Sequence, residues 1–236
     1  MSTSTSRKAI AAIAQLRSTS SKYQNLLDAA KCARLAKSQG ASMLFLPECF
    51  GFIGESSEQT LQNAEEPVLE DKRENEAAVT DALRLTISHN EDLSHSLPKD
   101  ADPIFILDGL KTIARESGLW ISGGGMHVLG APADEGTGRA RVYNTHVIVD
   151  DSGTVRCLYR KIHLFDVSIP GKVTLQESAT TAPGDKLVIC DSPIGKFRWS
   201  KEMYAMLGRV SSCIFSVRLL GVSFRFKRKV GPVHML

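Results

Sequence analysis

Met43-Leu-Phe-Leu-Pro-Glu48 is an apolar run closed by a proline and a carboxylate, and its reading decides the fold. Four apolar residues in succession suit a buried strand, and Pro47 stops the strand ladder because it has no N–H to donate. Upstream, Leu26 or Leu27, Ala30, Ala33 and Ala36 recur at three- or four-residue spacing, which predicts a helix from about Lys22 to Gln39. Ser20 and Ser21 offer its N-cap, and Gly40 is placed to stop it. Residues 9–15 form a second short apolar run. The first 50 residues therefore read strand, helix, strand, a unit whose two strands normally lie parallel with the helix on one face. The fold class is α/β.

Downstream the character changes. Residues 65–103 hold 11 acids against four basic residues and few aliphatics, so they read as an acidic surface insertion, with helical potential over Asn75–Ile87. Order returns with a helix over Ile104–Ser117, then Leu119-Trp-Ile-Ser running into Gly123-Gly-Gly125. No phosphate-loop helix start follows those glycines, so they read as close backbone packing. Val142–Val149 and Thr154–Tyr159 form a hairpin around Asp150-Asp-Ser-Gly153. Asp185–Cys190 and the Ser192-Pro-Ile-Gly-Lys196 turn open another, but Phe197-Arg-Trp-Ser-Lys-Glu-Met lacks strand alternation. The expected domain spans 8–196, followed by a basic tail over 197–236.

With 236 residues, 42% hydrophobic and 23% charged, the chain is long enough for one full core and too short for two comfortable domains. No apolar run reaches the roughly 20 residues that span a bilayer. The opening Met1-Ser-Thr-Ser-Thr-Ser-Arg-Lys has no apolar h-region, so the cytosol is the expected compartment. Its Ser/Thr-rich, acid-free character makes the mitochondrion the alternative. Cys32, Cys49, Cys157, Cys190 and Cys213 form an odd set without a C-x-x-C pair, which speaks for reduced thiols and against a disulfide framework or structural zinc. Up to residue 195 there are 20 Lys/Arg against 25 Asp/Glu; from 196 on there are nine basic residues and only Glu202. That abrupt change is the most informative compositional fact.

Glu48 stands where an apolar strand of an α/β sheet ends, the usual place for a site, and partial desolvation there suits proton abstraction. Lys161, in Tyr159-Arg-Lys161-Ile-His-Leu-Phe-Asp166, leaves another strand and could stabilise a developing oxyanion. His163 beside it reads more readily as structural. Glu177, in the loop Ile169-Pro-Gly-Lys-Val-Thr-Leu-Gln-Glu177-Ser, carries almost no signal alone.

Together these segments, with Leu46-Pro-Glu48, Gly118-Leu-Trp-Ile-Ser-Gly-Gly-Gly and Val142-Tyr-Asn144-Thr, resemble the nitrilase (carbon–nitrogen hydrolase) superfamily, and within it the Nit-type amidases. The resemblance covers roughly Lys8 to Lys196. It implies an α-β-β-α sandwich that dimerises with its own kind. It also implies a small-molecule amide substrate, either deaminated glutathione or an ω-amide of a 2-oxo acid, and neither metal nor organic cofactor. Glu48 would be the general base, Lys161 the stabiliser of the tetrahedral intermediate and Glu177 the support of the base. A cysteine would attack the amide carbon, release ammonia and be freed by water.

The resemblance breaks at the nucleophile. Gly195-Lys196 should lead into a Cys-Tyr-Asp segment, and no Cys-Tyr-Asp occurs in the chain. Cys49 should point away from Glu48 by strand alternation, Cys157 lies four strand residues from Lys161, and Cys190 precedes its hairpin turn. Cys213 is the weak remaining substitute. The expectation is therefore a sandwich truncated in its C-terminal part and a chain inactive as written, with a shifted reading frame or retained intron accounting for the tail. Two other readings stay open: a non-catalytic nitrilase-like binding or subunit protein, and a binder of nucleic acid or an anionic membrane through the basic tail.

Overall fold

The computed structural model describes residues 9–66, 77–89, 104–170 and 173–199. Strand β1 (Ala11–Ile13) leads into helix α1 (Lys22–Ser38), where Ser21 accepts a hydrogen bond from the Gln24 amide as N-cap. Past its end Gly40 takes φ 76°, the left-handed turn that directs the chain into β2 (Met43–Phe45). Strands β1 and β2 pair parallel, as the strand–helix–strand reading requires.

β2 is parallel to β3 (Trp120–Val128), which pairs antiparallel with β4 (Val142–Val149), and β4 in turn with β5 (Val155–Arg160). The Asp150 carboxylate accepts from the Ser152 and Thr154 amides to shape the β4–β5 turn. Alternation along the strands splits the core in two. On one face Leu44, Ile121, Val147 and Val149 pack under α1, α3 (Ala77–His89) and α4 (Ile106–Ser117). On the other, Met43, Phe45, Ile148 and Tyr159 are covered by the hairpin β9 (Val188–Ser192) and β10 (Gly195–Trp199). There the rings of Phe45 and Phe197 meet edge to face at 5.5 Å.

Two sequence expectations are corrected. The stretch 65–103 is not simply a surface insertion: Val79, Ala82 and Leu83 of α3 are buried in the main core. Glu65 is also built in, because Phe105 gives α4 no side-chain cap. Its carboxylate instead accepts from the amides of Ile106 (2.6 Å) and Leu107 (3.4 Å), where the helix dipole favours negative charge, and pairs with Lys22. Residues 67–76 and 90–103 lie outside the described residues. The second correction is β10, which continues through Lys196 to Trp199 in antiparallel register with β9. Sequence reading also missed α2 (Ser57–Gln62), the hairpin β6 (Asp166–Ile169) and β7 (Val173–Gln176), and β8 (Thr181–Ala182), which pairs with the start of β4. Among the described residues no helix is long and apolar enough to cross a membrane.

His146 of β4 is buried with Nε2 2.8 Å from the Ser122 hydroxyl, and burial holds its pKa down at about 3. An unfolded histidine titrates near pH 6.5, so between about 6.5 and 3 the unfolded chain binds a proton that the folded chain refuses. This contribution is present above pH 6.5 and is lost as pH falls, by up to about 1.4 kcal/mol per pH unit. Urea unfolding of wild type and His146→Gln across pH 4–7.5 should show the steeper acid loss in the wild type.

Candidate active site

Four strands deliver the site. Pro47 and Glu48 follow β2, and the turn they form lies directly on the backbone of β3: a Cβ on Gly124 would stand 1.8 Å from the Pro47 carbonyl oxygen. The β3–β4 register shifts between Gly123 and Met126, so the glycine run sits in a β-bulge, a device common beside active sites. The three glycines are thus close-packing residues. Asn144 lies on β4, Lys161 follows the last residue of β5, and Glu177 begins a short 3-10 turn after β7.

These side chains converge. Lys161 Nζ donates to Glu48 Oε1 and to Glu177 Oε2, each at 2.8 Å. Asn144 Nδ2 donates to Glu48 Oε1 at 2.8 Å and Glu177 Oε1 at 3.1 Å. The Phe165 amide donates to Glu177 Oε2 at 2.7 Å, and the Lys161 amide to the Asn144 carbonyl at 2.8 Å. The lysine side chain is 9% exposed, against 28% for Glu48 and 18% for Glu177, so the cation is the most enclosed member of the trio.

Burial alone would lower the Lys161 pKa. Hydrogen bonds from its ammonium to Glu177 and Glu48, with the charges of both carboxylates, outweigh burial and raise it above the ordinary lysine value. Lys161 is therefore a fixed positive charge at neutral pH and not a proton acceptor. Such a charge, set before any substrate arrives, is suited to stabilise a developing oxyanion without reorganising. Among the described residues no group of three or more His, Cys, Asp or Glu is arranged to hold a metal ion.

The structure brings Glu48, Lys161 and Glu177 into one hydrogen-bonded cluster and leaves His163 exposed. It revises Cys49. Period-two alternation does not apply there, because β2 ends at Phe45 and Cys49 has φ 54°. The thiol lies within electrostatic reach of Glu48, Glu177 and Lys161. Burial first, then the two carboxylates, push its pKa up to about 12 against the opposing pull of Lys161. Burial and the two carboxylates thus disfavour the thiolate, so position alone does not make Cys49 a nucleophile. Cys157 and Cys190 are buried together in the apolar cluster beneath the β9–β10 hairpin. Cys213 lies outside the described residues.

Sequence reasoning missed Asn144 and the Phe165 amide as parts of the site. A signal for Asn144 was present, since an amide in the apolar strand Val142–Val149 needs buried partners. Nothing local marks the Phe165 amide.

The carbon–nitrogen hydrolase family model matches residues 10–201. The chain belongs to the carbon–nitrogen hydrolase family. It is 35% identical to the deaminated glutathione amidase of Bos taurus over 82% of this chain and 46% of that protein. The deaminated glutathione amidase of Dictyostelium discoideum is 29% identical over 94% of this chain and 65% of its own length, so that likeness runs beyond Lys196. The chain spans about half to two thirds of the length of these relatives. Among solved structures, the Caenorhabditis elegans NitFhit protein superposes with TM-score 0.52 at 28% identity, over 80% of this chain and 37% of that one. Saccharomyces cerevisiae Nit3, of the nitrilase superfamily, gives 0.51 at 24%, over 79% and 52%. The mixed α/β architecture is thus that of the nitrilase superfamily.

Replacing Lys161 by Met removes the cation between two partly buried carboxylates. The variant should lose about 1–3 kcal/mol of stability at pH 7, less than a fully buried pair because water reaches both acids. Urea unfolding of the variant and the wild type at pH 7 measures the loss.

Proposed function

We propose that this site is built to hydrolyse a small-molecule amide, either deaminated glutathione or an ω-amide of a 2-oxo acid. The observation that carries the reading is the Lys161 ammonium held at 2.8 Å between Glu48 and Glu177. In this reading Glu48 accepts the proton of the attacking group and later returns it to the leaving nitrogen. Lys161 stabilises the negative oxygen of the tetrahedral intermediate, and Glu177 keeps Lys161 charged and in place. The relatives named deaminated glutathione amidase support this choice of substrate, as does the 30% identical ω-amidase NIT2 of Bos taurus.

The covalent route needs a thiolate, which would add to the amide carbon, expel ammonia and leave a thioester for water to cleave. The chain contains no Cys-Tyr-Asp segment, and among the described residues the Cys49 thiol, beside the carboxylates, has its pKa pushed up to about 12. We therefore infer that this chain turns over poorly, since losing a covalent nucleophile costs on the order of 10⁶ in rate. What remains is polarisation of the amide by Lys161 and activation of water by Glu48. A cytosolic homodimer belongs to the same reading, with sedimentation velocity as its check.

Ammonia release from both amides, compared between wild type and Glu48→Gln, tests the proposal. The expected result is weak release that Glu48→Gln abolishes. Robust turnover that survives Glu48→Gln would overturn the amidase site. Robust turnover lost in Cys49→Ser or Cys213→Ser would overturn the inference of a missing nucleophile.

A further inference from the structure

Asn144 is almost fully buried on β4, and its two amide hydrogens go to the two carboxylates of the site. Its Oδ1 has no hydrogen-bond partner among the described residues. A buried amide with an unpaired oxygen is an expensive choice for a strand position that an aliphatic residue would fill more cheaply. The orientation is fixed: turned over, Oδ1 would face both carboxylates at hydrogen-bond distance, acceptor against acceptor. Gly125 of β3 makes this orientation possible, because a Cβ there would stand 1.7 Å from Oδ1.

The arrangement sorts the oxygens of Glu48. Oε1 receives both Lys161 Nζ and Asn144 Nδ2 at 2.8 Å, whereas Oε2 has no hydrogen-bond partner among the described residues. Glu177 is spent differently, with Oε2 on Lys161 and the Phe165 amide and Oε1 on Asn144. The Asn144 carbonyl also accepts the Lys161 amide, so one residue touches all three members through side chain and backbone.

We propose that Asn144 is the positioning residue of this site, which, with Lys161, occupies Glu48 Oε1 and leaves Oε2 as the atom that accepts the proton. The proposal rests on the amidase reading for its purpose, though not for its geometry. Asn144 touches no reacting atom. It fixes the rotation of the base about its terminal bond, and misplacement of a reacting group by an ångström can cost about 10²-fold in rate.

The test reads the Asn144 side-chain amide by ¹⁵N–¹H NMR in the full chain, in wild type, Glu48→Gln and Glu177→Gln. Both Asn144 Hδ2 protons should be deshielded and slow to exchange, one moving chiefly in Glu48→Gln and the other chiefly in Glu177→Gln. Two protons at the shifts of an exposed amide, insensitive to both substitutions, would overturn the proposal. Alongside, Asn144→Ala should lower kcat for ammonia release about 10²-fold with KM little changed, and Asn144→Ser, which keeps one donor, should recover part of it. An unchanged kcat in a folded Asn144→Ala would likewise overturn it. If Asn144→Ala does not fold, the wild-type spectrum still decides. A chain with the NMR signature but no ammonia release would sink the amidase reading and leave the positioning role standing.

Discussion

Two carboxylates held in one partly enclosed space repel each other unless a cation stands between them, and here Lys161 does so at 2.8 Å from each. The demand shapes much of the molecule. It requires a strand end to deliver Glu48, another to deliver Lys161, and a turn after β7 to bring Glu177 back. The pairing of β2, β3, β4 and β5 in one sheet sets the distances among the first two and Asn144. The glycine bulge of β3 then allows Pro47 and Asn144 to approach more closely than any side chain would permit. Electrostatics and backbone packing are two aspects of one constraint.

The constraint also bears on the thiol that lies beside the cluster. Glu48, Lys161 and Glu177 are assembled, and among the described residues the Cys49 thiol beside them has its pKa raised by burial and by the same two carboxylates that favour the lysine charge. An arrangement that stabilises an ammonium disfavours a thiolate beside it, unless further donors intervene. Membership of the carbon–nitrogen hydrolase family therefore stands beside a described cluster in which the lysine charge is favoured and the neighbouring Cys49 thiolate is not.

Much of the fold was legible in the sequence because its signals are local. Ser21 and Gly40 bracket α1, alternation in β4 divides the two faces of the core, and Asp150–Gly153 shapes a hairpin turn. Glu48 and Lys161 stood at strand ends, where sites are often built, but only the family resemblance singled them out, and Glu177 with them, from ordinary surface residues. The remainder depends on non-local partners. Glu65 looks like part of an acidic stretch until the N-terminus of α4 meets it 41 residues later in the chain. Cys49 looks turned away until the backbone leaves strand geometry at φ 54°. The returning strand β10 shows no alternation, yet the ladder to β9 forms through the backbone alone.

The most direct test of the central claim is the ionisation of Lys161 itself. In protein labelled with ¹³C at lysine Cε, with Lys161 identified by Lys161→Arg, its resonance should titrate at a higher pH than the other lysines. In Glu48→Gln and in Glu177→Gln that pH should fall. A Lys161 that titrates with or below the exposed lysines, and ignores both substitutions, would contradict the account.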